Sequence, residues 1–153
     1  MDDKNNFGGY LENFTEGSII EHYPGKTITE GDNNLFCLLT RNAHPLHSDI
    51  EYCKGTQHGK IVVCGTLVFS LVVGMSVPDI SGKAVANLEY ESVKHINPVF
   101  INDTIYASTE ILSIKKTSKG NRGIIYVETT AINQINDVVL IFRRKVLLPM
   151  ENV

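Results

Sequence analysis

Neither sign of charge dominates this chain: 14 lysines and arginines stand against 17 aspartates and glutamates, for a formal net charge of −3. It therefore lacks the basic footprint of a nucleic-acid-binding protein. The cations are dispersed except at Lys115-Lys116 and Arg143-Arg144-Lys145. Cysteine is scarce. Cys37, Cys53 and Cys64 are odd in number and form no Cys-x-x-Cys pair, a pattern of reduced thiols, not of a disulfide framework or a zinc site. No apolar run has the ~20 residues a membrane-spanning helix requires. The longest, around residues 61–80, is broken by Gly65, Ser70, Gly74 and Pro78. The polar, acidic start Met-Asp-Asp-Lys-Asn-Asn lacks the pattern of a secretion signal. The expectation is a cytoplasmic protein that binds neither nucleic acid nor membrane.

What is present is ordinary globular material: 153 residues, 42% hydrophobic and 20% charged, enough for one domain with a real core. There is no internal repeat, low-complexity run or linker. We expect a flexible N-terminus over residues 1–10, with Gly8-Gly9 as a joint, and a single domain over 11–150. Phe14 to Gly17 reads as a turn and Lys26 to Thr29 as a short strand. A helix is expected to start near Asp32, whose carboxylate caps the free N–H groups, and to end at a turn over Asn42 to Pro45. Ser48-x-x-Glu51 has the form of a capping box and predicts a short helix from Asp49. Residues 66–77 are nearly all apolar; valine content favours a strand, while length and the Gly65/Pro78 punctuation favour a helix. Residues 84–93, 103–114, 122–133 and 138–148 read as strands, the middle two joined by a hairpin at Lys119-Gly120-Asn121. One long buried helix beside consecutive strands implies an α+β domain with an antiparallel sheet.

Chemistry is concentrated in residues 37–49, where Leu35 to Leu39 gives way to Asn42, His44, Pro45 and His47. Pro45 has a fixed φ and no N–H, so the helix cannot continue, and it pushes His44 towards an extended conformation. Two imidazoles thus lie three residues apart on a stiff loop, and histidine titrates near neutrality, which suits proton transfer. On spacing alone, two surface histidines on an ordinary turn is the commoner meaning of such a pattern.

The order of features across nearly the whole chain resembles the MaoC-like dehydratase family, the hot-dog-fold hydratases and dehydratases of acyl-CoA thioesters. The pieces are Phe14-x-x-Gly17, Gly25-Lys-Thr-Ile-Thr-Glu-x-Asp32, Pro45-Leu-His47-Ser-Asp49, Cys64-Gly65-Thr66 where the family usually has His-Gly-Met, and Asn97-Pro-Val-Phe-x-x-Asp103-Thr104. The resemblance implies a hot-dog fold, an antiparallel sheet wrapped around one long buried helix, and so makes residues 66–77 that helix. It implies a hydro-lyase acting on an enoyl-CoA or 3-hydroxyacyl-CoA thioester, with coenzyme A as part of the substrate and no further cofactor or metal. It also implies at least a homodimer. His47 matches the family's catalytic histidine, Gly65 the residue whose amide holds the thioester oxygen, and Thr66 opens the helix.

One departure bears directly on chemistry. The family usually has Asp-x-Asn-Pro-x-His, whereas this chain has Asn42-Ala-His44-Pro-Leu-His47. An amide can orient water but cannot take its proton. Either catalysis is weakened in an acyl-CoA-binding relative, or the acid/base pair has moved onto His44 and His47. The Asn-Ala-His-Pro-Leu-His run also resembles a branch acting on short dicarboxylyl-CoAs such as mesaconyl-CoA or methylmalyl-CoA. A hot-dog thioesterase is the competing enzyme reading. Asp49 fits a helix cap better than a substitute acid, and His58 and His95 fit structural or surface positions. Lys94 and Arg143 to Lys145 are candidates for CoA phosphates, although a solvated strand end is the commoner meaning of such clusters.

Overall fold

The computed structural model describes residues 7–151. Five strands form one sheet: β1 (Ile19–Thr27), β2 (Ala86–His95), β3 (Thr104–Lys116), β4 (Arg122–Ile132) and β5 (Val138–Pro149). They lie in the order β1-β3-β4-β5-β2, with every neighbouring pair antiparallel. Helices α1 (Glu30–Thr40), α2 (Ile50–Lys54) and α3 (Gly65–Ser76) fall between β1 and β2. This is the hot-dog arrangement, α+β, with α3 as the helix inside the roll.

The ambiguous apolar segment is helical because it has somewhere to bury itself. α3 carries no charged residue. Val68 and Val72 pack into one cluster with Ile105 and Ala107 of β3, Ala131 of β4, and Leu140 and Phe142 of β5. Strand alternation supplies the other half: β4 buries every second residue from Gly123 to Ala131. α3 is not covered all round, however. Thr66, Ser70 and Gly74, four residues apart, form an exposed stripe in the single chain.

Local signals were partly displaced. α1 begins at Glu30, two residues before Asp32. Its cap is Thr29, whose hydroxyl accepts from the Asp32 N–H at 3.2 Å while the Asp32 carboxylate accepts from the Thr29 N–H at 2.8 Å. Asp32 is thus the third helical residue of a capping box, not the cap. Its bonds to Lys26 and to the Thr29 N–H hold its pKa at about 2. α2 is capped by Asp49, which accepts from the Tyr52 N–H at 2.9 Å; the Ser48 side chain is not the cap. β1 starts seven residues before the short strand expected at Lys26, because His22, Pro24 and Gly25 hide its alternation and its register breaks between His22 and Lys26. Gly25 is needed there, since a Cβ would lie 2.6 Å from the Tyr106 ring.

Residues 1–6 of the expected flexible terminus lie outside the described residues. In the remainder, the Lys83 ammonium donates to the Gly8 carbonyl at 2.8 Å, and Gly8 has a φ of 75°. The Arg143–Lys145 cluster is taken up within the fold. Arg143 donates to Glu128 at 2.6 Å and Lys145 to Glu89 at 2.8 Å, both across strands. Arg144 points inward and is fully buried. It donates to Ser76 at 2.8 Å and to Asn87 at 3.1 Å, at the carboxyl end of α3, where the helix dipole favours a cation. Burial pushes its pKa below the ordinary arginine value.

A second buried polar chain ties the sheet to the segment after α3. His22 Nδ1 lies 2.7 Å from the Asp79 carboxylate, and its Nε2 lies 2.7 Å from the Thr109 hydroxyl. Thr109 in turn lies 2.8 Å from the Thr129 hydroxyl. Asp, His and a hydroxyl in that order would suit a nucleophile relay, but Thr109 is fully buried and bonded to Thr129, so the chain is structural. Removing its middle member opens a cavity and strands the Thr109 hydroxyl. His22→Ala should cost about 2–4 kcal/mol. Urea denaturation checks this, and a loss under ~0.5 kcal/mol, the range of an ordinary surface change, would contradict it.

Candidate active site

The loop after α1 is built by side chains that stand in for backbone partners. α1 stops at Arg41, whose left-handed φ of 57° turns the chain. Asn42 Oδ1 then accepts from the His44 N–H at 3.2 Å, and its Nδ2 donates to the Cys64 sulfur at 3.3 Å. His44 Nδ1 accepts from the Leu46 N–H at 3.1 Å and so caps the short 3-10 turn Pro45–His47. That turn places the ring of His47 against residue 62. His47 Nδ1 lies 2.7 Å from the Val62 carbonyl oxygen. A carbonyl only accepts, so Nδ1 carries a proton, and Nε2 has no hydrogen-bond partner among the described residues.

The same loop is bound to the start of α3 through one residue. Asn33 is 1% exposed. Its Nδ2 donates to the His47 carbonyl at 2.8 Å, and its Oδ1 accepts from the Cys64 N–H at 3.0 Å. A single side chain thereby sets the distance between the histidine and the helix N-terminus. At that terminus the Gly65 N–H has no partner among the described residues, as expected for a first-turn amide. The Cys64 sulfur lies 3.2 Å from the Thr66 hydroxyl. Burial pushes the Cys64 thiol up, but the Thr66 hydroxyl, the Leu67 amide and Asn42 outweigh it and hold the pKa below the ordinary thiol value.

His47 and Gly65 line one cavity of about 330 Å³, shared with His58, His95, Val62 and Val68. A larger cavity, about 680 Å³, lies beyond the carboxyl end of α3 around Asp79 and Lys83. It holds none of the candidate catalytic or substrate-binding residues, so size does not point to the candidate site; His47 and Gly65 do. Asn42 and Thr66 do not line the smaller cavity but meet at the Cys64 sulfur. His44 is exposed, its ring centroid 6.1 Å from that of His47. A Cβ on Gly65 would come within 3.1 Å of the His95 ring.

Asn33, Cys64 and His95 are therefore part of the arrangement without having been singled out as site residues. Nothing local distinguishes Asn33 from its neighbour Asn34; only burial does. His95 stands two residues before the Asn97-Pro98 motif, which was its one available signal. Asn33→Ala should leave the Cys64 N–H and the His47 carbonyl unpaired, at a cost of ~2–4 kcal/mol. Urea denaturation would register that loss, and the Cys64 amide should lose protection in hydrogen exchange; unchanged protection would show that Asn33 does not hold the helix start.

Known proteins resemble this chain over most of its length. The MaoC like domain model matches residues 13–133. The mesaconyl-CoA hydratase of Cereibacter sphaeroides is 34% identical over 145 residues, covering 95% of this chain and 42% of that protein. The beta-methylmalyl-CoA dehydratase of Chloroflexus aurantiacus is 32% identical over 148 residues, covering 97% of this chain and 42% of that protein. The crystal structure of the monoamine oxidase regulatory protein from Archaeoglobus fulgius superposes with a TM-score of 0.84 at 30% identity, covering 94% of this chain and 96% of that one. This chain thus spans less than half the length of the two curated relatives. With the family model matched over residues 13–133 and a curated relative 34% identical over 95% of this chain, the chain belongs to the MaoC-like domain family.

Proposed function

We propose that this protein is a hydro-lyase that adds water to an enoyl-CoA thioester, or removes it from the 3-hydroxyacyl-CoA. The observation that carries the reading is the free Nε2 of His47 in one cavity with the free amide of Gly65. In the hydration direction, water oxygen bonds to the β-carbon while His47 Nε2 takes its proton. The electron pair of the double bond moves towards the thioester carbonyl, whose oxygen is met by the Gly65 N–H at the positive end of α3. The α-carbon then takes a proton, and His47 is returned to its neutral form. Coenzyme A enters as part of the substrate. The names of the two curated relatives support a short dicarboxylyl-CoA as the acyl class.

His44 is the proposed second titrating group, replacing the acid that Asn42 is not. Its capping bond occupies Nδ1, and its ring centroid lies 6.1 Å from that of His47. Asn42 fixes the loop through its bonds to Cys64 and the His44 N–H. That engagement also favours a second reading, an acyl-CoA-binding protein with weakened catalysis. We place the protein in the cytoplasm, supported by three unpaired thiols. No helix of the described residues is long and apolar enough to cross a membrane.

His47→Ala should lower kcat by ~10²–10⁴-fold, the usual value of one general acid/base group. His44→Asn separates the two roles: a comparable drop supports a histidine pair, and near-normal turnover means His47 works alone. Binding of acyl-CoA esters by the wild type without hydration of any of them would favour the binding-protein reading.

The domain over 11–150 is proposed to work as a homodimer or higher homo-oligomer. β2 is an edge strand with Leu88 and Tyr90 more than 40% exposed, and α1 leaves Leu38 and Leu39 more than 70% exposed. Such edges and patches are usually covered. Light scattering at micromolar concentration should give a mass of at least two chains; a strict monomer would refute the assembly.

A further inference from the structure

His47 and Gly65 account for only part of the polar lining of their cavity, and no aspartate or glutamate contributes to it. Two imidazoles, those of His58 and His95, remain. Asn97 also lines the cavity, but its amide nitrogen is committed to the Val138 carbonyl at 2.7 Å. His58 packs edge-on against Phe100, and its Nε2 lies 3.1 Å from the Gln57 amide nitrogen. An amide nitrogen only donates, so neutral His58 carries its proton on Nδ1. The His95 ring has no hydrogen-bond partner among the described residues and fills the space that a side chain at Gly65 would need. Apart from these groups the walls are largely apolar, with Val62, Val63, Val68 and Val99.

We propose that His95 is the specificity-determining residue of this cavity, and that with His58 it binds the free carboxylate of a short dicarboxylyl thioester whose carbonyl oxygen lies on Gly65. The proposal rests on the functional reading above and deepens it. A carboxylate brought among apolar walls needs donors. Imidazole N–H groups supply them, and a bond to the charged carboxylate is stronger than one between neutral groups. An alkyl group in the same place would leave those donors facing hydrocarbon. Sites built to bond a polar group discriminate strongly against analogues lacking it. His95 is exposed and His58 half-buried in the single chain, so an acid reaches His95 without opening the fold.

The test compares mesaconyl-CoA with tigloyl-CoA, which has a methyl group in place of the carboxylate. Binding is measured by calorimetry and turnover by loss of enoyl absorbance, for wild type, His95→Leu and His95→Gln. Wild type should bind mesaconyl-CoA at least about 10-fold more tightly, the scale of one hydrogen bond to a charged group. His95→Leu should lose that preference while its affinity for tigloyl-CoA stays within about 2-fold, since no bond to a charge is involved. His95→Gln, which keeps a donor, should restore part of it. In turnover the loss should appear in KM for mesaconyl-CoA. Equal affinities in wild type, or equal losses for both esters in His95→Leu, would overturn the proposal. If neither ester is hydrated while the binding preference and its loss in His95→Leu hold, the hydro-lyase reading fails and the carboxylate site stands. A circular dichroism melt close to wild type separates loss of recognition from loss of fold.

Discussion

Burial of a charge-free helix inside the curled sheet is the constraint from which the rest follows. α3 contributes Val68 and Val72 to the core and fixes how tightly β3, β4 and β5 must wrap it. With the helix body held, its amino end is fixed as well, and Gly65, whose amide has no partner among the described residues, lines the cavity of His47. Its carboxyl end receives the buried Arg144, whose charge is met by the helix dipole and neutral oxygens instead of a carboxylate. A polar chain from Asp79 through His22 to Thr109 and Thr129 fastens the same end to three strands. Both termini of one helix thus serve as anchors, one at the proposed site and one for stability.

The loop after α1 is joined to that helix by few but well-satisfied contacts. Asn33 bonds the His47 carbonyl and the Cys64 amide, and Val62 receives the His47 ring proton. Because each partner is a backbone group, the geometry does not depend on flexible charged side chains. It is the kind of supporting shell that keeps a proton-transfer group within hydrogen-bonding reach of its target. The two residues that depart from the loop the resemblance implies are both engaged in this frame. His44 caps the turn through a ring nitrogen, and Asn42 donates to sulfur.

Much of this was legible in the chain. Turn residues, β-branched runs and the Asn97-Pro98 motif located most strands. The Gly65/Pro78 punctuation bounded the central helix once the resemblance had settled its class. The proline after His44 fixed the character of the loop. Local reading failed where a contact from elsewhere outbid a nearby signal. Asp32 has the chemistry of a cap but serves Thr29; Ser48 precedes Asp49, which caps in its place; β1 hides behind a bulge at Pro24 and Gly25.

By itself, then, the sequence determined which segments must be buried and which loop could carry a titrating pair, because periodicity, proline and glycine act over a few residues. The tertiary structure decided which groups meet. Asn33 and Cys64 are 31 positions apart yet share a hydrogen bond, and His95 fills the space beside Gly65. No local pattern encodes such pairings; they exist only because the sheet closes around α3 and brings the end of β2 to its amino terminus.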